Sequence, residues 1–204
     1  VKIHDVEQNS EEWFALRSGR PTASEFAKLV TPTGKASTQI TGYAALLAAE
    51  AYAGTELERW EGNQWTQRGH ELEDEARAYY TLTSGEQTSL AGFVTSDLAG
   101  CSPDHVVGDN GLAEYKCLAP QHHVLALHTC AQTGRAPNDY RPQLQGQLWV
   151  CEREWVDLVF YHPQLPVLIH RETRDEKMIE LLTAQVHAVI ELRDQFIETI
   201  RGAA

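Results

Sequence analysis

No two of the four cysteines, Cys101, Cys117, Cys130 and Cys151, are spaced C-x-x-C. Zinc and iron–sulfur knuckles use that spacing, so neither is expected. Cysteines scattered in this way read as free thiols in a reducing cytoplasm, with Cys101 and Cys117 next to strand positions and in the core. No stretch approaches ~18 consecutive apolar residues, so no membrane span is expected. The opening VKIHDVEQNS lacks a basic region followed by an apolar one and does not read as a secretory signal. Val1 in the first position fits a trimmed start. Basic charge is scarce as well, with a formal net charge of −12. Nucleic-acid-binding proteins usually show the opposite balance. Net charge describes the far field, however, and a local basic groove or channel can still hold phosphates with acid outside. There is no internal repeat, low-complexity tract or long linker.

The 204 residues, 42% of them hydrophobic, have the length of one domain over 1–204, enough chain to bury a sizeable core. Helical spacing marks residues 10–17 (Trp13, Leu16, Arg17), 40–52 (Ile40, Tyr43, Leu47), 68–85 (Leu72, Ala76, Tyr79, Tyr80, then Gly85 as a stop), 121–133, and a helix from Arg141 with Pro142 in its first turn. In TASEFAKLV, Thr22 and Glu25 read as a capping box opening a helix that buries Phe26, Leu29 and Val30. A closing helix over 174–201 carries Met178, Leu181, Leu182, Val189, Ile190, Phe196 and Ile197 toward the core. Strands are expected at 88–95, 98–107 and 112–118, a meander with a GDNG turn, and at 155–161 and 166–172. The stretches 31–38 and 54–65 read as irregular connections. This order suggests an α/β domain around a mixed sheet.

The chemistry concentrates in SPDHVVGDNGLAEYKC, residues 102–117. Along a strand at 112–118, Leu112, Glu114 and Lys116 share one face, and Ala113, Tyr115 and Cys117 the other. A bare Glu-x-Lys on a half-exposed strand is common and by itself fits no more than solvation. Asp104 changes the reading, because the hairpin brings it beside Glu114. Two carboxylates and an ammonium then converge, a set of oxygen ligands that suits a hard ion such as Mg²⁺ or Mn²⁺. Such an ion lowers the pKa of bound water and offsets charge on a phosphoryl group, while Lys116 steers the water or stabilises that charge.

Asp104…Glu114-Tyr115-Lys116 resembles the P-D-x(n)-(D/E)-x-K signature of restriction-endonuclease-like nucleases. Flanking stretches narrow the resemblance to the phage lambda-type alkaline exonucleases, the YqaJ-like viral recombinases. WFALRSGRPTASE (13–25) resembles their W-x-x-L-R-x-G-x-x-T-A-S-E segment, and GHELEDEAR (69–77) their G-x-x-x-E-x-x-A-R helix. CSPDHVVGDNGLAEYKC (101–117) resembles their C-S-P-D…E-x-K-C core, and YRPQLQGQLWV (140–150) their Y-x-x-Q-x-Q helix. The matches fall in family order across residues 13–160.

The resemblance implies a restriction-endonuclease-like core with a mixed sheet, flanking helices and a long C-terminal helix. It implies metal ligation by Asp104, Glu114 and the Tyr115 backbone carbonyl, with Lys116 assisting the nucleophilic water. Glu73 and Gln143 would complete the site, with Gln147 on the same helix face. Without the resemblance, Glu73 reads as part of a solvated acidic run and Gln143 as an ordinary helix glutamine. Arg17, Ser24 and Ser102 match the family's 5′-phosphate pocket; a guanidinium and hydroxyls suit a terminal phosphate, although Arg17 fits a surface pair with Glu12 or Glu25 equally well. His122, His123 and His128 read as surface or DNA-proximal residues. The implied activity is a Mg²⁺-dependent 5′→3′ exonuclease on double-stranded DNA with 5′-phosphorylated ends, acting as a homotrimeric ring beside a single-strand annealing protein. A structure-specific endonuclease and a non-catalytic DNA-end-binding scaffold on the same fold remain alternatives. The cysteine spacing disfavours an iron–sulfur nuclease, and Lys116 disfavours a glycosidase.

Overall fold

The structure, a computed structural model, describes residues 1–31, 33–57 and 64–203. Its strands are β1 (Lys2–His4), β2 (Thr88–Ser89), β3 (Phe93–Thr95), β4 (Gly100–Cys101), β5 (His105–Val107), β6 (Gly111–Lys116), β7 (Trp155–Phe160) and β8 (Leu168–Thr173). Its α-helices are α1 (Glu11–Arg17), α2 (Ile40–Ala53), α3 (Gln64–Ser84), α4 (Pro120–Thr133), α5 (Arg141–Val150) and α6 (Glu176–Ala203). Of the two irregular connections, Pro32 and residues 58–63 lie outside the described residues.

Five strands form one sheet in the order β2-β5-β6-β7-β8, in which β6 and β7 run parallel and the other pairs antiparallel. This is the expected mixed sheet. β6 lies at its centre and both faces are covered. Leu112 packs with Leu144 and Leu148 of α5 and Ala126 and Cys130 of α4, while Ala113 and Tyr115 pack with Ala76 and Tyr80 of α3. Glu114 is 3% exposed and Tyr115 4%, so the strand is not half-exposed and its polar residues are buried by construction. On the other side of α5, α6 packs along α2, burying Met178, Leu182, Val186 and Val189 with Tyr43, Ala44 and Leu47.

Three expectations are corrected. The strands read at 88–95 and 98–107 each break in two, and their halves join different sheets: β3 and β4 pair with β1 in a three-stranded sheet, whereas β2 and β5 join the large one. Gly92 turns the first break at φ +52°, where a Cβ would lie 2.5 Å from the carbonyl oxygens of His4 and Val6. Pro103 lies in the second break and has no N–H to give a ladder. Second, TASEFAKLV forms a 3₁₀ turn over Ala23–Lys28 without a side-chain cap. Tyr43 Oη accepts the Thr22 N–H, Thr22 Oγ1 meets Ser24 Oγ, and Glu25 pairs with Lys28, so the capping box does not form. Phe26, Leu29 and Val30 are nonetheless fully buried. Third, His123 is buried while His122 and His128 are exposed. His123, Ala126 and Cys130 are spaced i, i+3, i+7 on the inner face of α4, and His123 Nε2 lies 2.9 Å from the Pro166 carbonyl oxygen. That ring closes packing and is not a surface group.

Candidate active site

The β5–β6 hairpin sets the register. His105 pairs with Ala113 and Val106 with Leu112, which places Asp104, one step further, opposite Glu114. Asp104 Oδ2 accepts the Tyr115 N–H at 2.6 Å, tying the loop before β5 to the neighbouring strand. Lys116 Nζ donates to Glu114 Oε1 at 2.7 Å. From α5, Gln143 Nε2 donates to the same oxygen at 2.7 Å and Gln147 Nε2 to Oε2 at 2.8 Å. The i, i+4 spacing of the two glutamines aims both amides at one carboxylate. Gln147, read from sequence only as a neighbour on Gln143's face, therefore touches Glu114 directly.

The electrostatics follow from burial. Desolvation, with Glu114 and Glu73 adding to it, pushes the Asp104 carboxyl well above its ordinary range, against the opposing pull of Lys116 and the Tyr115 N–H. Burial alone would lower the Lys116 ammonium; the adjacent Glu114 and Asp104 carboxylates outweigh it and hold it above its usual value. Lys116 is thus a cation at neutral pH, 5.7 Å above the Tyr140 ring. Glu73 of α3 borders a cavity of about 610 Å³ shared with Arg77, Asp104, His105 and Tyr115. Among the described residues no three His, Cys, Asp or Glu side chains gather into a metal-holding group. The oxygens here that could meet a cation are the carboxylates of Asp104 and Glu114. Two hard carboxylates fit a divalent ion of the magnesium type, which takes one or two protein carboxylates and leaves its other positions to water and phosphate.

Of the second expected set, Arg17 and Ser102 meet at Trp13, which sequence reasoning placed on a helix and at the head of the WFALRSGRPTASE match. Its Nε1–H donates to Ser102 Oγ at 2.7 Å, and the Arg17 guanidinium stacks on its ring at 4.2 Å. α1 presents both residues because Ser10 caps it, accepting the Trp13 N–H at 3.2 Å. Ser24 Oγ meets Thr22 Oγ1, and the Thr22 backbone bridges to Gly100 just ahead of Ser102. Arg17, Arg20 and Lys28 border a cavity of about 510 Å³ together with Glu25, Glu50 and Glu56, and neither Ser24 nor Ser102 is among its lining residues. Arg17 pairs with Glu56 at 3.7 Å, where sequence suggested Glu12 or Glu25.

Residues 12–154 match the family model of the YqaJ-like viral recombinase domain. The chain belongs to that family. It is similar to an alkaline exonuclease, LHK-Exo, from Laribacter hongkongensis, at 35% identity over 95% of this chain and 98% of that one, with a TM-score of 0.80. The structure of LHK-Exo in complex with dAMP gives 34% identity, the same coverage and a TM-score of 0.81. A phage-related exonuclease from Haemophilus somnus 129PT shares the fold at 19% identity, over 89% of this chain and 96% of that one, with a TM-score of 0.69. Among curated proteins none matches. The restriction-endonuclease-like architecture read from sequence is therefore that of this YqaJ-like chain. Among the described residues no helix is long and apolar enough to cross a membrane.

Two contacts at the YqaJ-like site escaped sequence reasoning. Trp13 lies 89 residues from Ser102, and nothing in the spacing of either announces their bond. Glu56 lies in an irregular connection whose path only the fold reveals. For Gln147 a signal existed: two glutamines four apart in a helix following a Glu-x-Lys strand.

Proposed function

We propose that the chain is a Mg²⁺-dependent exonuclease that digests double-stranded DNA 5′→3′ from ends carrying a 5′-phosphate, with Mn²⁺ able to substitute. It releases 5′-mononucleotides and leaves a 3′ single-stranded overhang for strand annealing. The observation that carries this reading is that Lys116 and Gln143 share one oxygen of the buried Glu114 while the hairpin sets Asp104 opposite that residue. The similarity to LHK-Exo, an alkaline exonuclease, supports it.

Asp104, Glu114 and the Tyr115 carbonyl would hold the ion. Bound there, a divalent ion lowers the pKa of water and neutralises charge on the phosphoryl oxygens. Lys116, a fixed cation, orients the attacking water and offsets the negative charge that develops on phosphorus oxygens. Gln143 and Glu73 steady water and ligand at the rim. Arg17 exchanges Glu56 for the terminal phosphate, a better bidentate partner, while Ser102, pinned by Trp13, and Ser24 supply neutral donors. Holding the new 5′-phosphate after each cut gives the digestion its direction. A homotrimeric ring would confine the basic lining to a central channel and reconcile DNA binding with a net charge of −12. An annealing protein would receive the overhang.

The test is incubation with Mg²⁺ and a linear duplex, 5′-phosphorylated and labelled on one strand, beside a closed circle. Release of label as mononucleotides from the 5′ end, with the circle intact, is expected. Cutting of the circle would make the chain an endonuclease; bound but uncut ends would make it a scaffold.

A further inference from the structure

Glu114 offers two oxygens to three side-chain donors, and the donors divide unequally. Lys116 and Gln143 both reach Oε1, at 2.7 Å each, whereas Gln147 reaches Oε2 at 2.8 Å. The first two are half-buried; Gln147 is 1% exposed. Oε1 thus faces the groups that solvent and substrate can approach, and Oε2 faces the core side of α5.

Gln147 has no other visible use for an amide. Its Oε1 is buried and meets no hydrogen-bond donor among the described residues. A methionine or leucine would fill the volume and remove that dry oxygen, but would leave Glu114 Oε2 without its donor. The amide is not simply reversed, because its oxygen would then sit 2.8 Å from a carboxylate oxygen with no proton between them. The residue tolerates an unpaired oxygen while placing one N–H on Glu114.

We propose that Gln147 is a positioning residue that makes Glu114 a one-oxygen ligand and so tunes the site toward a small divalent ion. The inference deepens the metal-dependent reading above and rests on it. A carboxylate can bind a cation through one oxygen or both, and the two-oxygen mode suits the larger Ca²⁺ with its flexible coordination. With Oε2 held toward the core by Gln147, Oε1 is the oxygen on the open side, where an ion would take the place of a Lys116 or Gln143 bond. Lys116 and Gln143, which share Oε1, are the contacts an ion would loosen, while the Gln147 bond stays. Outer partners of ligating carboxylates commonly control affinity in this way.

The test needs neither DNA nor turnover. The wild-type protein and Gln147→Met are titrated calorimetrically with Mg²⁺ and, separately, with Ca²⁺, and each metal-free protein is melted. Mg²⁺ affinity is expected to fall about 10–100-fold in the variant. Ca²⁺ affinity should fall less, so that the preference between the ions narrows, while the metal-free melting temperature should drop modestly because Oε2 loses its donor. Unchanged Mg²⁺ affinity would overturn the assignment. So would an equal loss for both ions, which would mark Gln147 as structural only. A wild-type protein that binds neither ion would overturn the metal-dependent reading itself, and this inference with it. If Gln147→Met fails to fold, Gln147→Asn, one methylene too short to reach Oε2, is measured against the same outcomes.

Discussion

The indole Nε1 of Trp13 lies 2.7 Å from Ser102 Oγ, joining the first helix to the loop that carries Asp104. The same indole carries the Arg17 guanidinium on its face, so one aromatic side chain aligns two of the groups proposed to hold the 5′-phosphate. Trp13→Phe keeps the stacking surface and removes the donor. A net hydrogen bond of about 1 kcal/mol translates to about a fivefold loss. That loss is expected on 5′-phosphorylated ends and not on 5′-hydroxyl ends, measured as initial rates on matched duplexes. Equal loss on both would reduce Trp13 to a fold-supporting residue.

Lys116→Ala removes a cation that two carboxylates keep charged. Loss of a preorganised charge at this kind of site typically costs about 10²–10³-fold in rate. Single-turnover cleavage in Mg²⁺ should fall by that amount, while end binding followed by anisotropy in Ca²⁺ stays close to wild type. Normal turnover in the variant would remove Lys116 from the chemistry.

Asp104 makes ion binding pH-dependent. Its carboxyl is held above the ordinary value by burial and by Glu114, so the metal-free protein keeps a proton there that an unfolded chain would release. Below the ordinary value the group is protonated in both states and costs nothing. As pH rises toward the raised value, the metal-free fold loses stability, and a bound ion relieves that loss. Mg²⁺ affinity should therefore climb with pH across this window, with proton release visible as buffer-dependent binding heat. Asp104→Asn should abolish the release; its persistence would assign the proton elsewhere.

His105 works in the opposite sense. Burial, with Arg77 adding to it and Asp74 opposing, pushes the imidazole down to about 4, and both ring nitrogens are buried without hydrogen-bond partners among the described residues. An unfolded chain binds this proton near the ordinary histidine value, so stability is lost as pH falls from there toward about 4. His105→Phe, packed on Tyr115 as the imidazole is, should flatten that acid limb in pH-dependent melting. An unchanged acid limb would show that other groups govern it.

The metal-side cluster was legible because its members are close in sequence and a two-strand register relates them. Once GDNG turns the chain, Asp104 must meet Glu114. The helical stripes of α2, α4 and α6 were legible for the same reason, since period alone places their buried faces. His123 lay on such a stripe and was misread by residue type. What was not legible depends on contacts between distant segments. Thr22 and Glu25 have the letters of a capping box, but Tyr43 and Gly100 take Thr22's backbone first. The strand breaks at Gly92 and Pro103 come from a second sheet whose outer strand is the chain's opening residues. Trp13 found Ser102 only because that second sheet brings them together.

Between Gln145 and Gln147, Gly146 lets α5 sit directly on the turn that carries Ser24: a Cβ there would lie 2.4 Å from the Phe26 ring and 3.1 Å from Ala23 Cβ. One face of this helix grips Glu114, and the neighbouring face that carries Gly146 presses on the turn that carries Ser24. A missing methyl group sets how closely helix and turn approach. Both seats lie in close-packed core rather than in a loop. A side chain at position 146 would therefore displace the amides on Glu114 and the turn of Ser24 together, since one helix backbone seats both.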